Sequence, residues 1–322
     1  MTMRVRPLKV LLSVGLGPWA FGNAGAEAFW RFVDRAEERG IDSIWLSDRP
    51  VSPIGASNFV LDPFIALAGV AARTRKLKLG TSVYVLPLRN PVLAAKELAT
   101  IDFLSNGRML LAVGVGNEET REFDACGVPK SERGGRLDEA IGVMRRLWRE
   151  PEVTHQGRYY HLDRIVVDPK PVGSMPIWLG GRSDAAFRRI GRLCDGWLPS
   201  ATRPEEIREG IAKIQAVAAE HGRQIEDDHF GAVLTYFVDS SLESAKQRAA
   251  PYLLRRRTDV PADEFAALGT LDDCLAKIQQ YVEAGASKFV LRPAGPPEAV
   301  FEQLDALAEL QRLVGPATSS VR

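Results

Sequence analysis

Short apolar runs alternate with segments of helical period along the chain. The runs are Lys9–Val14, Ser43–Ser47, Leu77–Leu86, Met109–Val115, Pro176–Gly180, Asp195–Leu198, Phe230–Val238 and Lys288–Arg292. Most are near-continuous in apolar residues, as in strands buried on both faces of a parallel sheet. Between them, Phe29, Phe32, Val33 and Ala36 share one helical face. So do Leu137, Ile141, Met144 and Trp148, and later Phe301, Leu304, Leu307 and Leu310. Eight strand-like runs, each followed by a helical pattern, predict an α/β chain and match a (β/α)8 TIM barrel. An open doubly wound sheet is the alternative. It usually carries fewer strands and a G-x-G-x-x-G turn after the first. Here that turn reads Gly15-Leu-Gly-Pro-Trp-Ala20, and the proline and tryptophan spoil it.

Punctuation supports the helix starts. Asp62-Pro63 and Asn90-Pro91 each place a capping side chain before a proline at the first helical position. Thr202-x-x-Glu205 and Thr270-x-x-Asp273 resemble capping boxes. Two stretches, about 150–173 and 251–269, do not fit the repeat. The first carries the polar, aromatic segment Val153–His161 and reads as a small hairpin and loop. The second contains Arg255-Arg256-Arg257 and falls between the seventh strand and its helix. Both are expected as insertions at the C-terminal mouth of one barrel domain spanning 1–322.

Composition narrows the function. The chain has 322 residues, and 42 Lys+Arg balance 41 Asp+Glu, which argues against a nucleic-acid partner. Of the basic residues 32 are arginine, a bias that a GC-rich coding genome accounts for. Three scattered cysteines, Cys126, Cys194 and Cys274, form no CxxC pair, and the four histidines form no metal-binding pattern, so no metal is expected. The apolar run Val10–Val14 is too short for a signal peptide or a membrane span. A cytoplasmic protein is the expectation.

In a barrel the site forms at the C-terminal ends of the strands. Those ends hold glycine-rich turns, an aspartate, an asparagine and arginines, but no histidine. Ser-His-Asp and metal chemistry are poorly served by that inventory; a cofactor carrying its own reactivity suits it. Leu179-Gly-Gly-Arg-Ser-Asp184 is the strongest local signal. Gly180 and Gly181 allow close backbone approach, Arg182 and Ser183 add donors, and a helix begins near Asp184, so a phosphate would be well held. A plain strand-to-helix turn accounts for the same glycines.

Several stretches together resemble one family. They are Pro87–Asp102, Leu104-Ser-Asn-Gly-Arg108, Val113-Gly-Val-Gly-Asn117 with Glu122-Phe123, Pro176–Gly181, Asp195-Gly-Trp197 and Ile41–Asp48. In this order they resemble the bacterial luciferase-like monooxygenases, whose fold is a TIM barrel with insertions. The resemblance implies a reduced cofactor, either the deazaflavin coenzyme F420 for hydride transfer or FMN used with oxygen. Gly80-Thr81-Ser82-Val83 resembles the third strand of the F420 branch, where a bulge with a non-proline cis peptide lies behind the ring. An ordinary strand end is the simpler reading of those four residues.

The resemblance also implies roles. Asp48 matches the acid beside the deazaflavin ring. Arg49 stands where the deazaflavin enzymes of the family often carry histidine, and Asn117 where its sugar-phosphate dehydrogenases carry a catalytic glutamate; both departures speak against glucose-6-phosphate oxidation. Asp48, Arg49 and Asn117 are therefore the candidate catalytic groups. Thr81, Ser82, Val83, Gly116, Asn117, Gly180, Gly181, Arg182, Ser183, Asp184 and Asp48 are expected to hold the cofactor. Trp19, Tyr84 and Arg292 are expected at the substrate or an anion, and Glu118 is a further general-acid candidate. The implied activity is oxidoreduction of a small organic substrate with F420. The alternatives are an FMN-dependent monooxygenase served by a separate flavin reductase, and a flavin-binding protein without turnover. A homodimer through the second and third helices is expected, because Phe64, Ile65, Leu67, Leu93, Leu98 and Phe103 spread around those helices.

Overall fold

The structure, a computed structural model, describes residues 9–52, 59–116, 120–253, 257 and 259–314. Each of the eight apolar runs contains a strand: β1 (Leu11–Leu16), β2 (Ser43–Leu46), β3 (Lys78–Thr81), β4 (Met109–Val113), β7 (Ile177–Leu179), β8 (Gly196–Trp197), β9 (Gly231–Val238) and β11 (Lys288–Pro293). A two-stranded antiparallel hairpin, β5 (Val153–Gln156) and β6 (His161–Ile165), occupies most of 150–173. Segment 251–269 holds a further strand, β10 (Ala266–Gly269), paired parallel with β9.

The helices are α1 (Ala26–Glu38), α2 (Pro63–Arg73), α3 (Pro91–Ser105), α4 (Thr120–Ala125), α5 (Arg133–Arg149), α6 (Asp184–Leu193), α7 (Pro204–Glu220), α8 (Leu242–Ala249), α9 (Leu271–Glu283) and α10 (Val300–Val314). The predicted caps at Asp62 and Asn90 hold: Asp62 accepts from the Phe64 and Ile65 amides, and Asn90 from Val92. Thr270 and Asp273 form their reciprocal box. The other predicted box is displaced. Residue 203, not Thr202, caps α7, and Glu206 reaches back to its amide. Pro204 sets this register, because its fixed φ suits the first helical position.

Nine parallel strands form one curled sheet in the order β10-β9-β11-β1-β2-β3-β4-β7-β8. The curl brings β8 to β9, where Trp197 bridges Phe230, Ser200 bridges Val233, and the Val233 amide donates to Pro199 O at 2.8 Å. The two-residue alternation sorts the sheet's faces. Ile44, Leu46, Leu111, Val113, Leu234 and Leu291 pack outward under the helices, in the main core. Trp45, Ala112, Val233 and Val290, their neighbours along the same strands, form a separate inner cluster with Leu198. Glycine marks where the inner cluster is tightest. A Cβ built at Gly80 would lie 2.2 Å from Trp45 Cδ2.

Candidate functional site

Asp48 lies two residues after β2, with its side chain 1% exposed. Its Oδ2 accepts from the Val85 amide at 2.9 Å, and its Oδ1 meets Arg89 Nη2 at 3.1 Å. Burial pushes its carboxyl above the usual aspartate range, while Arg89 and the Val85 amide pull it back. Arg89 is positioned in turn: it lies 5.3 Å over the Tyr84 ring, and Tyr84 stacks on Phe64 at 4.1 Å.

Asp48 borders a cavity of about 270 Å³ at the C-terminal ends of the strands. Ser82 and Val83 supply part of its wall, and the peptide between them is cis, as the family resemblance implied. From β11, Arg292 reaches across to this bulge, donating from Nη2 to Ser82 O at 2.5 Å, Ser82 Oγ at 3.0 Å and Ser47 Oγ at 3.0 Å. Gly15 gives it room: a Cβ there would stand 2.6 Å from Val290 and 3.0 Å from Arg292. Gly116, Gly180 and Gly181 complete another wall. The φ of Gly116 is 86° and that of Gly181 is 104°, a region that favours glycine. Ser183 caps α6 by accepting from Ala186 N at 3.3 Å.

The structure thus brings Asp48, Arg49, Ser82, Val83, Gly116, Gly180, Gly181 and Arg292 together around one space. Other expected residues lie elsewhere. Thr81 is fully buried and donates to Ala112 O, because its side chain points opposite to Ser82. Tyr84 faces the groove between α2 and α3. Trp19 stacks on Phe59 at 4.7 Å beside a separate apolar recess. Arg182 turns away from the cavity to donate to Ala201 O at 2.9 Å, and lines a neighbouring depression with Arg257 and Glu206. Asp184 is exposed and meets Lys213 at 3.3 Å. Asn117 and Glu118 lie outside the described residues.

Residues 150–173 are absent from the described cavity wall. The hairpin lies along α5, where one carboxylate, Glu139, accepts the amides of Arg158, Tyr159 and Tyr160 at its tip.

Sequence reasoning overlooked Asp48's partners and one acid. Arg89 was visible only as part of a longer matching stretch, and the Val85 amide carries no side-chain signal. Glu122, on α4, is 2% exposed. Its short helix carries too little periodicity to reveal which way it faces. Among the described residues one group, Glu226, Asp228 and His229, brings metal-ligand atoms within 4.8 Å of one another, on the turn before β9 and away from the cavity. Among the described residues no helix is long and apolar enough to cross a membrane.

A profile of the luciferase-like monooxygenase family matches residues 8–311. The F420-dependent glucose-6-phosphate dehydrogenase of Kineococcus radiotolerans is 30% identical over 298 residues, covering 84% of this chain and 88% of that protein. Two solved structures share the fold. An F420-dependent secondary alcohol dehydrogenase, in complex with an F420-acetone adduct, superposes with a TM-score of 0.79 at 22% identity, covering 94% of this chain and 98% of the other. The oxygenating constituent of 3,6-diketocamphane monooxygenase from Pseudomonas putida, in complex with FMN, gives 0.77 at 16% identity with the same coverage.

Proposed function

We infer the function from one premise: the chain belongs to the luciferase-like monooxygenase family. Within it, the chain is an oxidoreductase that transfers a hydride between coenzyme F420 and a small organic substrate, the cofactor named for its 30% identical relative. The observation that carries this reading is the make-up of the cavity. A flat heteroaromatic ring has apolar faces and polar edges. Val83, Leu198 and Val233 suit the faces, and Asp48, Ser82 and Ser200 the edges. Glycine keeps the wall close: a Cβ on Gly114 would fall 2.6 Å from Val83 Cγ2.

When bound, F420 supplies the carbon that gives or takes the hydride. The protein's part is to hold and orient. Asp48 fixes a charge at one edge, and Arg49 faces an anionic substrate or a developing oxyanion. Arg292 fastens the Ser82 bulge to β11. The Gly181 backbone before α6 offers its amide to a phosphate, while the Gly180 amide is held by Val113 O at 3.1 Å. Asn117 is assigned as a hydrogen-bond donor to a carbonyl or the ring edge.

Reconstitution tests the reading. The protein is expected to bind F420 and to pass hydride at a rate independent of oxygen. Oxygen-dependent product with reduced FMN, together with no F420 binding, would overturn it in favour of the two-component monooxygenase.

The same reading takes the sheet as a closed (β/α)8 barrel, the β8–β9 bridges completing the ring, in one domain with 251–269 near its mouth. Three free cysteines suit the reducing cytoplasm. A homodimer through α2 and α3 is supported by their outward faces, where Ile65 is 78%, Leu93 61%, Phe103 59% and Leu104 69% exposed. Light scattering is expected to give about twice the chain mass of 35.4 kDa. Ile65→Glu combined with Leu93→Glu should halve it, because charge at the centre of an apolar contact is left without a partner. A wild-type monomer at micromolar concentration would refute the dimer.

A further inference from the structure

Beside the cavity lies a second, smaller space of a different kind. It is walled by Leu16, Trp19, Phe21, Phe29, Leu46 and Phe59, and its free volume is about 20 Å³, room for a methyl-sized group. It meets the cavity at Pro18, Ser47 and Val60, which line both. The rings that wall it brace one another: Trp19 lies 4.7 Å from Phe59, 5.0 Å from Phe21 and 6.5 Å from Phe29. Phe21 and Phe29 are buried in the main core, whereas Phe59 is 48% exposed.

The recess has no polar side-chain group to offer. Two lie in its described lining, and both are spent elsewhere. Trp19 Nε1 donates to Ala24 O at 3.1 Å. Ser47 Oγ donates to Ser82 O at 3.3 Å and accepts from Arg292 Nη2 at 3.0 Å, both on the cavity side. A hydroxyl placed in the recess would find no side-chain partner and would carry the cost of a lost hydrogen bond; an alkyl group carries none. The cavity is opposite in character, with Asp48, Arg49 and Arg292 on its walls.

We propose that the recess takes the apolar end of the substrate. The substrate is then a small amphipathic molecule, with its polar reacting group in the cavity and a short alkyl group reaching past Pro18, Ser47 and Val60. Trp19 and Phe59 set the length of that group. Trp19 is fixed at its indole by Ala24 and at its amide, which donates to Phe59 O at 2.7 Å, and Phe59 is the exposed wall. A sugar, with a hydroxyl on nearly every carbon, would strand one in the recess, which disfavours it about a hundredfold against an alkyl counterpart. The inference deepens the proposed function and rests on it only for what fills the cavity.

The test uses straight-chain primary alcohols, from methanol to 1-hexanol, as probes on the full chain without cofactor. The Trp19 Nε1–H resonance, assigned with Trp19→Phe, reports the recess. It should shift saturably, with affinity rising about three- to tenfold per added carbon until the recess is full and then levelling. Phe59→Ala removes one wall at an exposed position, so the fold should survive and the break should move to a longer alcohol. No saturable shift with any alcohol, or a break that stays in place in Phe59→Ala, overturns the proposal. A second arm asks whether recess and cavity share one occupant. With F420 bound, an alcohol long enough to pass the shared wall should move the deazaflavin absorbance band with the same midpoint as the Trp19 resonance. A Trp19 shift without any change in that band makes the recess a packing gap and overturns the substrate assignment. Absence of any F420 binding overturns the proposed function instead, and the alcohol titration with its Phe59→Ala break then decides the recess alone.

Discussion

Asp48→Ala is expected to lower kcat/KM for F420-dependent turnover by about two to three orders of magnitude, the usual loss when a fixed charge at a reacting centre is removed. It should also cost about 3 kcal/mol of stability, because Arg89 is left half-buried without its carboxylate. Asp48→Asn separates the two effects. The amide oxygen can still accept from Val85 N–H, so folding should recover more than activity does. The pH dependence has a definite sign. Burial raises the folded carboxyl above its unfolded value, so Asp48 favours folding at acid pH, and that contribution disappears as pH rises through the folded value. As pH rises from the ordinary aspartate range through the raised folded value, stability should therefore fall less steeply in Asp48→Asn than in wild type. Stopped-flow hydride transfer and urea unfolding measure both quantities. An alanine variant with wild-type turnover would remove Asp48 from the site.

Gly80→Val should be the most damaging single change in the sheet, at about 3 kcal/mol or more. By propensity it looks harmless, since valine favours strands. Packing decides otherwise. The new Cβ would stand 2.2 Å from Cδ2 and 2.4 Å from Cε3 of Trp45. Trp45 cannot swing away cheaply: its Nε1 donates to Ser43 Oγ at 2.9 Å, and Ser43 in turn donates to Ser13 Oγ at 2.7 Å. Gly80 lies two residues before Ser82, so the distortion would spread into the cavity wall. A thermal unfolding midpoint within a degree or two of wild type would show that the inner cluster is looser than its geometry implies.

Much of the fold was legible because strands buried on both faces must be apolar almost throughout. That requirement exposed all eight runs, including two-residue β8 inside Asp195–Leu198. It did not expose β10, where Ala266-Ala-Leu-Gly269 is short, small and close to a charged stretch. The displaced cap on α7 has the same origin at finer scale: Thr202 is the better capping side chain, but Pro204 dictates where the helix begins. Around the cavity, the expected residues that do line it are those that present backbone or follow directly from strand ends, among them Asp48, Ser82, Gly180 and Arg292. Side-chain direction was the weak point. Thr81 and Ser82 adjoin in sequence and face opposite ways, and Tyr84 and Trp19 lie near the mouth yet pack sideways. Glu122 was passed over in favour of Glu118, because burial of a lone acid is a property of the assembled wall and leaves no trace in composition.

Arg89 touches Asp48 at 3.1 Å and lies 3.7 Å from Asp62, the residue that caps α2. It also lines the groove between α2 and α3, among the exposed apolar side chains. One guanidinium thus links an acid on the wall of the cavity to the outer face of two helices. Anything that shifts Arg89 from the groove changes the charge environment of Asp48. By reciprocity, a ligand that engages Asp48 changes, by the same factor, how strongly that outer face holds whatever covers it.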